Sequence, residues 1–268
     1  GGLAAVRGQL PPETLEAALP SLAIAAQAAP PANYSLVGTV GTIKAMSRLS
    51  MADAGLVEHM LAALLAVDAS LLLPRQPRDA LSLAMVLNGL AGLGMRESKS
   101  CGRVVARLSL ALQGARLRDV EPGAIGTSAT ALARLGAKDT KLLRFLAAAA
   151  LAQPPEAFSP HLAASTLNAF SKLAQPAGAL FIHLAEALLL SEHGHSPQSI
   201  ASALHALSLS SLSAGREGLV QAKLVPHLSR QMQALPPTLV SPVAGAQLWN
   251  ALARLDIRDR PLLRHLLA

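Results

Sequence analysis

Six stretches of the chain repeat one order of apolar and polar positions: Val40–Leu49, Ala84–Leu93, Gly126–Leu135, Ala164–Leu173, Ala201–Ser210 and Ala246–Leu255. In each, an anchor residue is followed three and six places later by further side chains of the same face. These sets are Ile43/Met46/Leu49, Leu87/Leu90/Leu93, Ala129/Leu132/Leu135, Leu167/Phe170/Leu173, Leu204/Leu207/Ser210 and Trp249/Leu252/Leu255, polar only at Ser210. A spacing of three predicts one face of an α-helix. The closing positions fall at 49, 93, 135, 173, 210 and 255, steps of 37 to 45 residues, a helical-repeat period and not a heptad. Proline stands seven residues before the anchor at Pro122, Pro160, Pro197 and Pro242, with Ser159, Ser196 and Ser241 ahead of three of them. Proline suits a first helical turn and serine caps its free N–H groups, so these residues mark helix starts.

Between successive copies lies a second apolar-periodic segment, roughly 53–72, 98–116, 139–152, 177–190 and 217–234, set off by turns such as Gln153-Pro154-Pro155 and Leu235-Pro236-Pro237. The chain is therefore expected to be all-α: an α-solenoid of about six helix hairpins, each burying its apolar face against its neighbours. Residues 1–32 read as an N-terminal segment with a capping helix over 11–29, and 33–268 as the repeat domain. Its last repeat reads as incomplete, with Leu262, Leu263, Leu266 and Leu267 awaiting cover.

Composition narrows this picture without changing it. Apolar residues make up 51% of 268 and mean hydropathy is +0.40, which excludes intrinsic disorder. Aromatics are only 2%, and the bulk is Ala and Leu, helix formers. One cysteine, Cys101, excludes a disulfide-dense scaffold and favours a reducing or organellar compartment; the residue reads as a small buried hydrophobe. Two stretches free of charge, Ala17–Ile43 and Gln231–Ala253, are long enough to span a bilayer, but prolines interrupt both, so no membrane span is expected. The chain opens Gly1-Gly2 with no basic-then-apolar leader, so a targeting peptide is read as removed or outside it.

The net charge of +7 and pI near 10.3 point to a polyanionic partner. At 100° per residue, the positions one and five places after each anchor fall away from the core face and read as outward-pointing neighbours. Down the six copies they are Lys44/Arg48, Asn88/Gly92, Thr130/Arg134, Asn168/Lys172, His205/Leu209 and Asn250/Arg254. The later position is basic in four copies and the earlier one is Asn in three, a pattern suited to phosphates and base edges of a repeating polyanion. A basic residue near a helix C-terminus also suits the macrodipole, which accounts for the cations but not for the asparagines.

The phrase Leu248-Trp249-Asn250-Ala251-Leu252-Ala253-Arg254-Leu255, with its variants Leu167–Leu173 and Ala131–Gly136, resembles the first-helix core of octotricopeptide and heptatricopeptide repeats. Those are α-solenoids of organelles, often joined to a RAP domain, that bind organellar RNA in maturation, stability or translation, or as subunits of mitochondrial ribosomes. The resemblance covers about 33–268 and implies a non-catalytic RNA-binding protein of a mitochondrion or, alternatively, a plastid. Unequal repeats suit an irregular folded RNA, so a structural subunit of the mitochondrial ribosome contacting ribosomal RNA, among neighbouring ribonucleoprotein subunits, is the favoured expectation. The RNA-binding set is then Lys44, Arg48, Arg134, Lys172 and Arg254 on phosphates, with Asn88, Asn168 and Asn250 near bases. The alternatives are a free RNA maturation, stability or translation factor, and a HEAT- or armadillo-like protein-binding scaffold.

No Walker-type Gly-Lys-Ser/Thr, Cys-x-x-Cys or His-Glu-x-x-His occurs, and no enzyme activity, cofactor, metal or small-molecule substrate is expected. Gly89-Leu-Ala-Gly-Leu-Gly94 reads as a helix end. His193-Gly-His195, with Glu192 and His183, reads as exposed loop histidines, the eight histidines share no evident register, and Asn33-Tyr-Ser35 reads as a chance sequon.

Overall fold

The protein is described here by a computed structural model covering residues 12–49, 53–96, 98–175, 178–209 and 216–267. The described residues form fourteen α-helices and four short 3-10 turns. The helices are α1 (Pro12–Ala28), α2 (Leu36–Leu49), α3 (Ala54–Ala66), α4 (Ala69–Leu72), α5 (Pro77–Gly92), α6 (Lys99–Gln113) and α7 (Pro122–Leu135). They continue with α8 (Thr140–Leu151), α9 (Pro160–Lys172), α10 (Gly178–Leu190), α11 (Pro197–Leu209), α12 (Arg216–Gln233), α13 (Pro242–Arg254) and α14 (Arg260–Leu267). No described helix is long and apolar enough to cross a membrane. Pro20 lies inside α1 without ending it, contrary to the reading that the prolines cut that stretch.

Two compact units divide the chain at Leu142/Leu143, within α8. In the first, α2, α5 and α7 pack side by side, α3 packs on α6, and the hairpin pairs α2–α3 and α5–α6 join the two rows. α1 lies against α3, with Tyr34 Oη donating to the Ala26 carbonyl at 2.6 Å. In the second unit α9, α11 and α13 form one row and α10, α12 and α14 the other, joined by α9–α10 and α11–α12.

The six repeated stretches lie on α2, α5, α7, α9, α11 and α13, and small residues let the helices of each row approach. Ala84, Ala129, Ala131, Ala163, Ala164, Ala201, Ala203 and Ala206 are fully buried along the two rows. At Gly89 on α5 a Cβ would lie 2.6 Å from Ile43 Cγ2 on α2. Around these sit buried leucines such as Leu87, Leu90, Leu132, Leu204 and Leu207, each contributing roughly 2 kcal/mol by leaving water.

Four of the first helices end in the same way. The residue seven places after the anchor is left-handed in four copies: Gly94 (φ 71°), Gly136 (φ 67°), Ala174 (φ 52°) and Asp256 (φ 49°). The next N–H then reaches back five residues, Met95 to Leu90, Ala137 to Leu132, Gln175 to Phe170 and Ile257 to Leu252, at 3.0–3.3 Å. This is a Schellman turn, which satisfies carbonyls that the helix end leaves free. The following helix opens on a capping side chain: Asp53 on Leu56 N, Ser98 on Cys101 N, Asp139 on Leu142 N and Asp259 on Leu262 N, at 2.7–3.1 Å. Ser159, Ser196 and Ser241 cap α9, α11 and α13 as their sequence positions predict.

Two expectations need correction. The segment 53–72 is not one helix, because Asp68 caps a new one by accepting from Ser70 N at 2.7 Å. There Arg107 of α6 donates to the carbonyls of Leu65 and Val67, taking up carbonyls at the end of α3. Leu262 does not await cover: it is 0% exposed in α14, which packs on α12, while Leu267 is 77% exposed.

These contacts fix the sign of two opposite exchanges. Gly89→Ala would gain about 1 kcal/mol of helix propensity on an open surface, yet here the overlap with Ile43 is expected to cost about 1–3 kcal/mol net. Ala174→Gly removes a left-handed Cβ and is expected to stabilise by about 1 kcal/mol. Urea unfolding midpoints of the two variants check both signs.

Candidate nucleic-acid interface

The candidate cations sit where helix ends place them. Arg48, Arg134, Lys172 and Arg254 occupy the last turns of α2, α7, α9 and α13, and all four are exposed. Four carbonyls at each such end lack intrahelical partners, so a cation there meets the negative end of the helix dipole. Gly92, the residue at the same place on α5, has a physical reason to be glycine: a Cβ would collide with Ser47 Oγ of α2.

Five of the six positions one after the anchor are partly shielded and not fully outward-pointing. Lys44, Asn88, Thr130, Asn168 and His205 are half-buried, and only Asn250 is exposed. An isolated helix would show them to solvent, but in a row the neighbouring helix shields that flank. The flank is where the two positions meet. In the first unit Arg134 Nη1 on α7 donates to Asn88 Oδ1 on α5 at 3.4 Å, so the later position of one helix rungs onto the earlier position of the helix before it.

The second unit varies the same rung. Asn168 on α9 corresponds to Leu209 on α11, which offers no donor, and Asn168 Oδ1 is buried without a hydrogen-bond partner. His205 on α11 corresponds to Arg254 on α13. Burial, then Lys172 of α9 and Arg254 of α13, hold the His205 imidazole below the ordinary histidine range. The structure thus brings Asn88 to Arg134, and sets His205 in the field of Lys172 and Arg254. Lys44 and Arg48 lie on α2 of the first unit, and Asn250 stands on α13 one turn before Arg254. Sequence reasoning placed His205 in the column but omitted it from the binding set; its place directly after the anchor was the available signal.

The other candidates resolve into structural roles. His195 is 8% exposed, not an exposed loop residue: its Nε2 donates to the Ser191 carbonyl at 2.9 Å, and its ring meets His227 of α12 edge-on at 5.5 Å. His183 of α10 stacks edge-on against Phe158, centroids 5.9 Å apart, and His59 of α3 stacks in the same way against Tyr34 at 5.6 Å. Both histidines are the sixth residue of their helix and both aromatics stand two residues before the preceding first helix, so these two do share a register. Among the described residues no three His, Cys, Asp or Glu side chains converge as a metal set. Cys101 is buried in the first turn of α6, and burial pushes its thiol up to about 11, which leaves it a neutral packing group. In comparisons with known proteins, neither a family model nor a curated protein matches the chain.

Burial also lowers His195 and His227, the latter further depressed by His195 and Arg230. Unfolded, all three histidines take up protons near pH 6.5; folded, only below it. Stability is therefore full above about pH 6.5 and falls as acid is added, because the unfolded chain binds more protons. The melting temperature is expected to drop between pH 7.5 and 5.5, less steeply in His227→Gln, as followed by circular dichroism.

Proposed function

We propose that this chain is a non-catalytic, RNA-binding α-solenoid of about six helix-hairpin repeats with an N-terminal capping helix. It acts in a mitochondrion or plastid, and most specifically as a structural subunit of the mitochondrial ribosome contacting ribosomal RNA. The observation that carries the reading is the rung between consecutive first helices. Cations at four helix ends lie exposed, beside polar side chains whose hydrogen-bonding capacity is only partly used, as at Asn168. Within each unit an RNA backbone laid across the row would meet a cation on the first and third of its three first helices, with polar side chains beside them. The net charge of +7 supports the same partner, and the resemblance to organellar repeat proteins supports the compartment.

A second reading, a protein-binding scaffold, is favoured by one feature. On α13 Val243 is 65% and Trp249 39% exposed, although the anchor position occupied by Trp249 is buried in the other five copies. A partner's apolar side chains would suit that face.

The two readings differ in their response to salt. Binding of a labelled structured RNA, followed by fluorescence anisotropy, is expected to weaken steeply with salt. Changing Arg48, Arg134, Lys172 and Arg254 together to Ala should flatten the log–log slope by about 3, at roughly 0.7 per phosphate contact, while the helical content stays unchanged. Equal binding by the quadruple variant, or none by the parent protein, would overturn the RNA reading.

A further inference from the structure

Contacts within the rows show which flank of each repeated helix meets the helix after it. Gly89 of α5 lies on Ile43 of α2, and Gly92 lies on Ser47. Arg134 of α7 donates to Asn88 of α5, and Ser171 Oγ of α9 donates to the Ala206 carbonyl of α11 at 3.2 Å. The forward flank is thus the anchor and the positions one and four after it, joined by helical spacing to the position three before it. The backward flank that receives it carries the positions two and five after the anchor. Gln247 of α13, which accepts from Gln198 of α11 at 2.9 Å, adds the position two before it.

Among the described residues α13 leaves its forward flank open and α2 its backward flank. On α13 the forward flank is Ala246, Trp249, Asn250 and Ala253, all exposed. In the other five copies the anchor is buried, and the position three before it is buried in four and half-buried in one. On α2 the backward flank is Gly41, Ala45 and Arg48. The place of Ala45 is buried in the other five copies and half-buried here, while Gly41 is exposed and a Cβ on it would meet nothing within 4 Å. Glycine weakens a helix interior and serves where another backbone comes close, as at Gly89. Gly41 has no such neighbour among the described residues of its own chain.

We propose that the forward flank of α13 in one copy packs on the backward flank of α2 in a second copy of this chain. The α9–α11–α13 row of one copy then runs on into the α2–α5–α7 row of the next. The two flanks match in the register that the rows already use. Trp249 falls on Ala45 and the space open at Gly41, as Ile43 falls on Gly89, a large apolar side chain against small ones. Asn250 falls opposite Arg48, the same pair of residue types that Asn88 and Arg134 join by a hydrogen bond. The contact is heterologous: each copy offers two different faces, so association runs head to tail. This gives a definite occupant to the exposed α13 face on which the scaffold reading turns, and it stands whether or not the chain binds RNA.

The test uses the full chain without RNA, followed by sedimentation velocity and by the emission of Trp249, the one tryptophan of the chain. The mass of the parent protein should rise above 27.6 kDa with concentration while the emission shifts to the blue. Trp249→Glu removes the forward face and should weaken association by at least about thirtyfold. Gly41→Glu removes the backward face at an exposed helical position, where helix content should hold or rise. Mixed, the two variants should recover a pair that stops at one copy of each, because each keeps one working face. In that pair the emission of Gly41→Glu should shift to the blue on adding Trp249→Glu, which has no tryptophan. Ala253→Glu, at an exposed position of the same flank, should act as Trp249→Glu does and takes its place if that variant loses helix content by circular dichroism. A parent protein that stays monomeric to about 100 μM overturns the proposal. So does a Gly41→Glu variant that associates like the parent, which would mean α13 pairing with itself, or a mixture that recovers no pair. RNA binding is measured separately by the salt titration above, so failure here leaves the RNA reading standing.

Discussion

The close side-by-side contact of the first helices is the constraint on which everything else in each unit depends. Helices can approach this nearly only where side chains are small, and the rows are lined by buried alanines and by Gly89 against Ile43. The composition, rich in Ala and with aromatics at 2%, is the direct consequence, since bulky rings would force the helices apart. The same contact sets the register in which the later position of one helix meets the earlier position of its neighbour. Charge and packing are therefore one geometry: Arg134 reaches Asn88 across the contact of α5 and α7, and His205 lies in the field of Lys172 and Arg254 from the helices on either side of α11.

The repeat is held as strongly by its turns as by its faces. A left-handed residue and a back-reaching N–H recur at matched places in four copies, followed in three by a capping Asp or Ser, and bound the angle at which the next helix leaves. Glycine supplies the left-handed conformation in two copies, while Ala174 and Asp256 adopt it with a Cβ, at a strain of about 1 kcal/mol each that the surrounding hydrogen bonds offset. A repeat whose turn geometry survives the loss of glycine is specified by several weak signals acting together.

This is also why part of the architecture could be read from the chain and part could not. The apolar spacing located the six helices, and the Pro and Ser residues gave the starts of α7, α9, α11 and α13 to within a residue, because both signals are local. The break at Asp68 interrupts an apolar run whose periodicity carries no sign of it, and Arg107, some forty residues away, takes up carbonyls at the end of α3. The exposure of Asn88, Asn168 and His205 was overstated because helical periodicity describes a helix alone, whereas neighbours in the row shield that flank. The edge-on pairs of His59 with Tyr34 and His183 with Phe158 were hidden for the same reason: each joins a turn to a helix about 25 residues on. Burial of His195 likewise arises from α12, beyond any local pattern.

If the rungs are the RNA face, strand contact must fall on the last two turns of the first helices and spare the outer surface of the second ones. Photo-crosslinking of the full chain to a structured RNA, with the attached peptides mapped by mass spectrometry, tests this directly. The account predicts adducts within 44–49, 88–96, 130–136, 168–175, 205–209 and 250–258. Adducts confined to α6, α10 and α12, or spread evenly along the chain, would contradict it.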